Sequence, residues 1–175
     1  MGENQKYYSG IGARATPQED LYILRDAAKY LAERGWVLRS GAADGCDAAF
    51  ERGSNMGLGK KEIYLPWKNF NDNHSELYPE NLPNFYKARE LAAEYHPAWN
   101  RLRDSVKNLM ARNMFQIGLD NYVKFVLCYC PIENGEWKGG TGTTCRYAKS
   151  LNIPIINIFL EEDKKKITQK IYKNG

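Results

Sequence analysis

The sequence predicts an α/β fold in which helices cover both faces of a parallel β-sheet. Short β-prone runs alternate with amphipathic helical patterns in the N-terminal part of the chain, and the connections between them are short. This β-α-β-α-β order favours parallel strands joined by right-handed crossovers. Run 123–129 is almost continuously apolar, which is typical of a central strand buried on both faces. A length of 175 residues suits one domain with a full hydrophobic core, so we expect a single domain over residues 1–175.

The first predicted helix has the clearest start signal in the chain. Thr16 is expected to cap it, Pro17 to occupy its first position, and Glu19 to complete a capping box. Gly35 is expected to end it. The predicted strands are 6–12, 36–40, 62–65, 123–129 and 153–158. The further predicted helices are 47–56, 84–95, 98–117, 145–150 and a weak terminal helix at 161–172.

Two segments depart from this alternation. Segment 67–83 is rich in asparagine and aromatic residues, and a loop of this length in a compact domain often serves as a lid or an interface. An irregular surface excursion explains it equally well, and the two interpretations stay open. Residues 131–138 are expected to form a polar loop.

Composition limits the classes of partner. The chain has 25 basic and 21 acidic residues, a net charge of +4, which suits an anionic small ligand but lacks the dense basic face of a duplex-DNA binder. The four cysteines match neither zinc-site nor redox-motif spacing, so we expect buried, reduced thiols. No signal peptide or membrane-spanning run is visible. We therefore expect a cytoplasmic protein with no metal, no cofactor and no membrane partner.

Three glycine-containing stretches follow predicted strands. Ligands bind at the carboxyl ends of the strands in an open parallel sheet, so the three stretches are expected to face one crevice. Glycines allow close backbone approach, and the free N–H groups at a helix start bind anions. From these stretches the expected ligand-binding residues are Ser9, Gly10, Gly12, Arg14, Ser40, Gly41, Ala42, Asp44, Asp47, Gly139, Gly140, Thr141, Gly142 and Thr143.

Arginines lie close to all three stretches and could clamp a phosphate through two parallel hydrogen bonds. They are Arg14, Arg39, Arg112 and Arg146. The strict dinucleotide pattern G-x-G-x-x-G and the phosphate-loop pattern ending in Gly-Lys-Ser/Thr are both absent, which disfavours ordinary NAD-dependent dehydrogenases and nucleoside triphosphatases.

Two motifs resemble known families. Stretch 40–47 reads Ser-Gly-Ala-Ala-Asp-Gly-Cys-Asp and resembles the Ser-Gly-Gly-Ala-x-Gly-x-Asp stretch of the DNA-processing protein A (Smf) proteins. Segment 110–114, a strand and then 139–143 are similar to the layout of the "lonely guy" phosphoribohydrolases, once labelled lysine decarboxylases. Both belong to one Rossmann-like superfamily that binds nucleotides and nucleotide-derived ligands. The resemblance runs over residues 7–158, implies a Rossmann-like fold, and adds Arg112 and Asn113 to the expected ligand-binding residues.

The phosphoribohydrolase motif is incomplete at three positions. The family's sugar-contacting Glu is replaced by Arg146, the Lys after the helix Arg by Asn113, and the Pro before the glycines by Lys138. Cleavage of an N-glycosidic bond needs a carboxylate that stabilises an oxocarbenium-like centre or activates water. The acids expected near the crevice are Asp44, Asp47, Glu133 and Glu136. Asp44 or a loop Glu would supply the carboxylate, Asp44 is the first candidate, and Arg112 is the second catalytic residue. Helix capping is the simpler alternative for Asp44.

These residues predict a protein that binds a phosphate-bearing nucleotide or nucleotide-derived signal. Its enzymatic version hydrolyses the ligand by N-glycosidic cleavage of a nucleoside monophosphate. One alternative is a non-catalytic sensor or sponge for a signalling nucleotide. Another is single-stranded DNA binding, as in recombination mediators. The resemblance also implies a homo-oligomer, paired through segment 67–83 and the helix predicted from Ala98.

Overall fold

A five-stranded parallel sheet forms the centre of the computed structural model, which describes residues 5–173. The first four and last two residues of the predicted domain therefore lie outside the described residues. The strands are β1 Lys6–Gly12, β2 Trp36–Ser40, β3 Lys61–Ile63, β4 Phe125–Tyr129, β5 Ile132–Glu133, β6 Glu136–Trp137 and β7 Ile155–Asn157. The sheet has the order β3-β2-β1-β4-β7, and all four neighbouring pairs are parallel. The predicted fold class is confirmed.

Helices pack on both faces of this sheet, as the sequence predicts. They are α1 Gln18–Ala32, α2 Cys46–Met56, α3 Phe85–Tyr95, α4 Asp104–Ile117, α5 Gly139–Ser150 and α6 Glu161–Thr168, the last continued by a π-helical turn at Gln169–Lys173. Successive side chains of a strand point to opposite faces, so Val126 and Cys128 of β4 join the core under α3, α4 and α5. Leu127 between them joins the core under α1 and α2.

The strand order reverses between β1 and β4. From β1 the chain builds outward through β2 to β3, and it then returns to place β4 and β7 on the other side of β1. The loops that follow β1 and β4 consequently diverge at their carboxyl ends and leave a crevice between them. None of the helices in residues 5–173 has the length and apolarity needed to cross a bilayer.

Two helix starts differ from the prediction. Thr16 does not cap α1, because its hydroxyl donates to the Ala13 carbonyl at 2.8 Å and lies 3.2 Å from the Cys46 sulfur. Pro17 then precedes the helix instead of opening it. The predicted helix 98–117 is wrong in its first part, where a 3₁₀ turn at Trp99–Arg101 comes before α4.

The segment after β4 is also more ordered than predicted. The expected polar loop 131–138 contains the β5–β6 hairpin, whose turn residues Asn134 and Gly135 have φ of 53° and 79°. An Asn-Gly pair with positive φ at both positions is the preferred two-residue hairpin turn. The expected glycine turn at 139–143 is the first part of α5, which begins at Gly139. The hairpin thus delivers the glycines directly into a helix N-terminus.

The contact between α1 and α2 needs a glycine. A Cβ on Gly53 would press against the Arg25 carbonyl oxygen and lie 2.7 Å from the Ala28 Cβ. We expect Gly53→Ala to lower the free energy of unfolding by about 1–3 kcal/mol through overpacking. At a helical site with free space around it, a Gly→Ala change would raise the free energy of unfolding by about 1 kcal/mol. Urea denaturation measures whether the free energy of unfolding falls or rises. Ala48→Gly, at an exposed position of α2, gives the effect of helix propensity alone. A stabilised Gly53→Ala protein would contradict this packing.

Candidate functional site

A crevice of about 350 Å³ opens at the carboxyl ends of β1 and β4. The loop after β1, the start of α2, segment 67–83, α4 and the N-terminus of α5 all contribute to it. Its lining residues are Ile11, Gly12, Ala13, Arg14, Ala43, Asp47, Phe70, Leu109, Met110, Arg112, Asn113, Gln116, Lys138, Gly139, Gly140, Thr141 and Thr144. Residues from each of the three glycine-containing stretches are among them.

The structure divides the predicted binding residues into two sets. Half of them line the crevice: Gly12, Arg14, Asp47, Arg112, Asn113, Gly139, Gly140 and Thr141. The other half are not among its lining residues: Ser9, Gly10, Ser40, Gly41, Ala42, Asp44, Gly142 and Thr143. Ligand binding by the first set stays a prediction.

Residues of the second set mainly shape the walls. The Ser40 hydroxyl donates to the Gly10 carbonyl at 2.7 Å and ties the two loops together. A Cβ on Gly41 would clash with the Gln116 amide and the Arg112 guanidinium, and one on Gly142 would lie 2.6 Å from the Trp137 carbonyl oxygen. These glycines allow close packing behind the crevice.

The N-terminus of α5 provides free backbone donors. The first hydrogen bond inside the helix runs from the Gly142 N–H to the Lys138 carbonyl at 3.0 Å. The N–H groups of Gly139, Gly140 and Thr141 consequently have no partner within the helix, and all three residues line the crevice. Exposed N–H groups and the helix dipole together form an anion-binding site.

Arg112 of α4 also lines the crevice and is buried, with only 4% of its surface exposed. Its Nη1 donates to the carbonyl oxygens of Gly41 and Tyr64, and its Nε donates to Asn113 Oδ1 at 2.7 Å. Burial lowers the pKa of Arg112 to about 10, and the charge of Asp47 opposes that shift. An arginine with this pKa remains charged at neutral pH.

Asp47 is the carboxylate of the crevice. Helix α2 begins at Cys46 and buries residues 46, 47, 49, 50, 53 and 54, and Asp47 is among them with 5% of its surface exposed. The Ala43 N–H donates to Oδ2 at 3.3 Å. Burial raises the pKa of Asp47 from 3.8 to about 6, whereas Arg112 and the Ala43 hydrogen bond lower it. A carboxyl that titrates near neutral pH in a crevice is typical of a functional group.

Asp44, the predicted catalytic carboxylate, is not brought into the crevice. It is an exposed turn residue that precedes Gly45, whose φ is +80°. The sharp turn at Gly45 separates Asp44 from the inward-facing side of α2. The structure therefore brings Asp47, and not Asp44, near the charge of Arg112.

Two of the four predicted phosphate clamps hold the fold together elsewhere. Arg39 is buried, contacts Glu62 at 2.8 Å and donates to the Asn121 carbonyl at 2.6 Å. Arg146 donates to the Tyr95 and Trp137 carbonyl oxygens and to the Thr143 hydroxyl. These two side chains are not among the residues that line the crevice, whereas Arg14 and Arg112 are. Lys138, which was not predicted to bind the ligand, also lines it.

Several lining residues were missed at the sequence level. They are Ile11, Ala13, Ala43, Phe70, Leu109, Met110, Gln116 and Lys138. Gln116 stands one helical turn after Arg112, so a helix-face argument could have found it. Phe70 had no such signal, because it comes from the irregular segment 67–83, and its ring centroid lies 5.3 Å from the Arg112 guanidinium. That segment therefore forms part of the crevice wall.

No trio of His, Cys, Asp and Glu side chains in residues 5–173 is arranged to hold a metal ion. A second depression of about 640 Å³ lies across α5 and includes Trp137, Arg146 and Lys149. It is larger than the crevice, but it lacks a free helix N-terminus, so we place the candidate site in the crevice.

Several solved structures have a fold similar to that of this chain. A structure on the single-stranded DNA binding mode of DNA processing protein A from Helicobacter pylori is 22% identical, with a TM-score of 0.56. DNA processing protein A from Streptococcus pneumoniae is 19% identical, with a TM-score of 0.55. The molybdenum cofactor carrier protein of Chlamydomonas reinhardtii is 14% identical, with a TM-score of 0.54. The chain has the Rossmann-like fold of these proteins. At these identities the likeness shows the fold alone.

The extent of the match differs between the two kinds of neighbour. The aligned region covers 86% of this chain in both DNA processing proteins, but 63% of the Helicobacter chain and 49% of the Streptococcus chain. For the cofactor carrier it covers 95% of this chain and 84% of the other. No protein-family model and no curated protein sequence matches the chain.

The buried Asp47 should reduce stability at neutral pH. A carboxyl whose pKa is higher in the folded state, here about 6 against 3.8, contributes stability at low pH that is lost as pH rises from about 4 to about 6. We expect Asp47→Asn to raise the free energy of unfolding at about pH 8, by up to about 3 kcal/mol from the difference between the two pKa values. Urea denaturation at about pH 8 and pH 4 checks this, because the gain should shrink at the lower pH.

Asp44→Asn is the matched control, since this side chain is exposed and should leave stability unchanged at both pH values. Loss of stability at about pH 8 in Asp47→Asn would show that the carboxylate is favourably paired, contrary to the geometry described above.

Proposed function

We propose that the crevice binds a phosphate-bearing nucleotide or a nucleotide-derived small molecule. The observation that carries this proposal is the N-terminus of α5, where the three residues with free N–H groups line the same crevice as Arg14, Arg112 and Lys138. Arg14 and Lys138 are exposed at the rim, where their side chains can contact a phosphate as it enters. Free N–H groups supply directed donors, and the cations supply long-range attraction.

The size and the lining of the crevice suit a small molecule. A volume of about 350 Å³ falls within the range of small-ligand pockets. Phe70, Leu109 and Met110 form an apolar wall beside the polar groups. A nucleotide has the matching division, with a flat base on one side and a charged phosphate on the other.

The enzymatic version of this proposal uses Asp47. Cleavage of an N-glycosidic bond requires a carboxylate that stabilises positive charge on the sugar or takes a proton from water. A pKa of about 6 leaves Asp47 ionised at neutral pH and basic enough to accept a proton. In the sensor or sponge version the same crevice holds the nucleotide without turnover.

Single-stranded DNA binding is a second candidate, favoured by the fold shared with the Helicobacter DNA processing protein A. Arg14 and Lys138 at the rim could track a phosphate backbone, and Trp67, which is 40% exposed, could stack on a base. A cytoplasmic location and a homo-oligomer paired through segment 67–83 also belong to the proposal, and light scattering tests the latter.

Mass spectrometry of small molecules released from the purified protein is the most direct test. We expect a phosphate-bearing nucleotide or a derivative in stoichiometric amount. If the protein hydrolyses nucleoside monophosphates, chromatography will show release of free base, and Asp47→Asn will abolish it while Asp44→Asn will not. If the ligand is recovered intact after incubation, the sensor or sponge version holds.

The positive charges of Arg14 and Lys138 at the rim should strengthen nucleotide binding. We expect Lys138→Glu and Arg14→Glu to weaken nucleotide binding by about 10- to 100-fold, the value of one charge-assisted hydrogen bond. Lys87→Glu and Arg52→Glu are matched controls, because both side chains are exposed on helices away from the crevice. Calorimetric titration measures the affinities, and equal losses in all four variants would contradict the proposed site.

The salt dependence of binding distinguishes the single-stranded DNA candidate from the small-molecule proposal. Single-stranded DNA binding would fall steeply with salt, in proportion to the number of phosphates contacted, whereas mononucleotide binding would change much less. A steep salt dependence together with no mononucleotide affinity would replace the small-molecule proposal with the DNA one.

A further inference from the structure

Gln116 has no hydrogen-bond partner that explains its position. It is 1% exposed, and its Nε2 forms no hydrogen bond to any of the described residues. Of the buried, unpartnered side-chain atoms in residues 5–173, Nε2 is the one whose residue lines the crevice. A buried donor without an acceptor destabilises a fold, and such groups in native proteins call for an explanation.

The surroundings of Gln116 hold it in place. It follows Arg112 by one helical turn on α4, and its amide packs against Gly41, where any Cβ would clash. The absence of a side chain at Gly41 leaves room for the Gln116 amide, whose Nε2 is buried. The fold thus keeps this amide at the floor of the crevice, beside the Arg112 guanidinium.

Asp47 lies beside the same loop. Its Oδ2 accepts the N–H of Ala43, two residues after Gly41. Two residues of chain span at most about 7 Å, so the Gln116 amide and the Asp47 carboxylate approach one short stretch of backbone. The carboxylate has about four lone-pair sites; the Ala43 N–H occupies one and the Ser40 side chain approaches another. An unpartnered donor and an acceptor with free lone pairs therefore both border the backbone of residues 41–43.

We propose that Gln116 and Asp47 recognise the vicinal hydroxyls of a ribose, so that the crevice takes ribonucleotides in preference to deoxyribonucleotides. A hydroxyl both donates and accepts, which lets it donate to the Asp47 carboxylate and accept from the Gln116 amide. A phosphate cannot take this place, because Asp47 would repel it, and the N-terminus of α5 already offers it donors. The base is better matched by the apolar wall of Phe70, Leu109 and Met110.

This inference rests on the proposed nucleotide binding, and a set of matched ligands separates the two. The probes are the four ribonucleoside 5′-monophosphates, their 2′-deoxy and 3′-deoxy counterparts, and ribose 5-phosphate against 2-deoxyribose 5-phosphate. For the wild-type protein we expect removal of a hydroxyl to weaken binding by about 10- to 100-fold, as for other hydrogen bonds to a charged group. Calorimetric titration measures each affinity.

Gln116→Met tests the assignment, because it keeps the length of the side chain and removes the donor. We expect it to erase most of the preference for the ribose form and to raise the melting temperature of the ligand-free protein, since an unpartnered donor is removed. Gln18→Met, at an exposed position of α1, is the control and should change neither value. A purely structural role for Gln116 would lower the melting temperature and leave the preference intact.

The outcomes are distinct. Equal binding of ribose and deoxyribose forms by the wild-type protein would overturn the hydroxyl assignment and leave nucleotide binding standing. Discrimination among bases without any dependence on the hydroxyls would likewise overturn the hydroxyl assignment. Absence of binding to every phosphate probe would overturn both this inference and the proposed function.

Discussion

The buried guanidinium of Arg112 is the interaction on which the crevice depends. Its donors reach Gly41 after β2, Tyr64 after β3 and the neighbouring Asn113, and the ring of Phe70 from segment 67–83 lies against it. A buried charge is costly unless it is hydrogen-bonded and paired. The carbonyl oxygens of Gly41 and Tyr64 and the Asn113 amide oxygen supply the hydrogen bonds, so the arginine fixes four separate parts of the chain around one cavity.

The crevice also holds two buried polar side chains that lower the stability of the fold. Asp47 is kept ionised near a cation, although burial raises its pKa to about 6, and Gln116 keeps a buried donor without a partner. A fold selected for stability alone would replace both. Their retention beside a helix N-terminus fits a site whose missing partners come from a ligand.

Much of the fold could be predicted from the sequence. The ranges 6–12 and 36–40 match β1 and β2, because strong β-prone runs ending at glycines leave little choice of boundary. The start of α1 was misplaced because the Thr16 hydroxyl bonds backward to Ala13, a local competition that spacing does not reveal. At the site, Asp47 and not Asp44 enters the crevice because the turn at Gly45 sets the rotation of α2, and Phe70 arrives from an irregular segment without periodicity.

The central claim is that an anion binds at the N-terminus of α5. The most direct measurement is an NMR titration of the ¹⁵N-labelled protein with a nucleoside 5′-monophosphate, followed through the backbone amide resonances. The largest shifts should fall on the amides of Gly139, Gly140 and Thr141, with smaller shifts at Gly12 and Ala13 across the crevice. Shifts confined to the depression around Trp137 and Lys149, or no shifts at saturating ligand, would contradict the account.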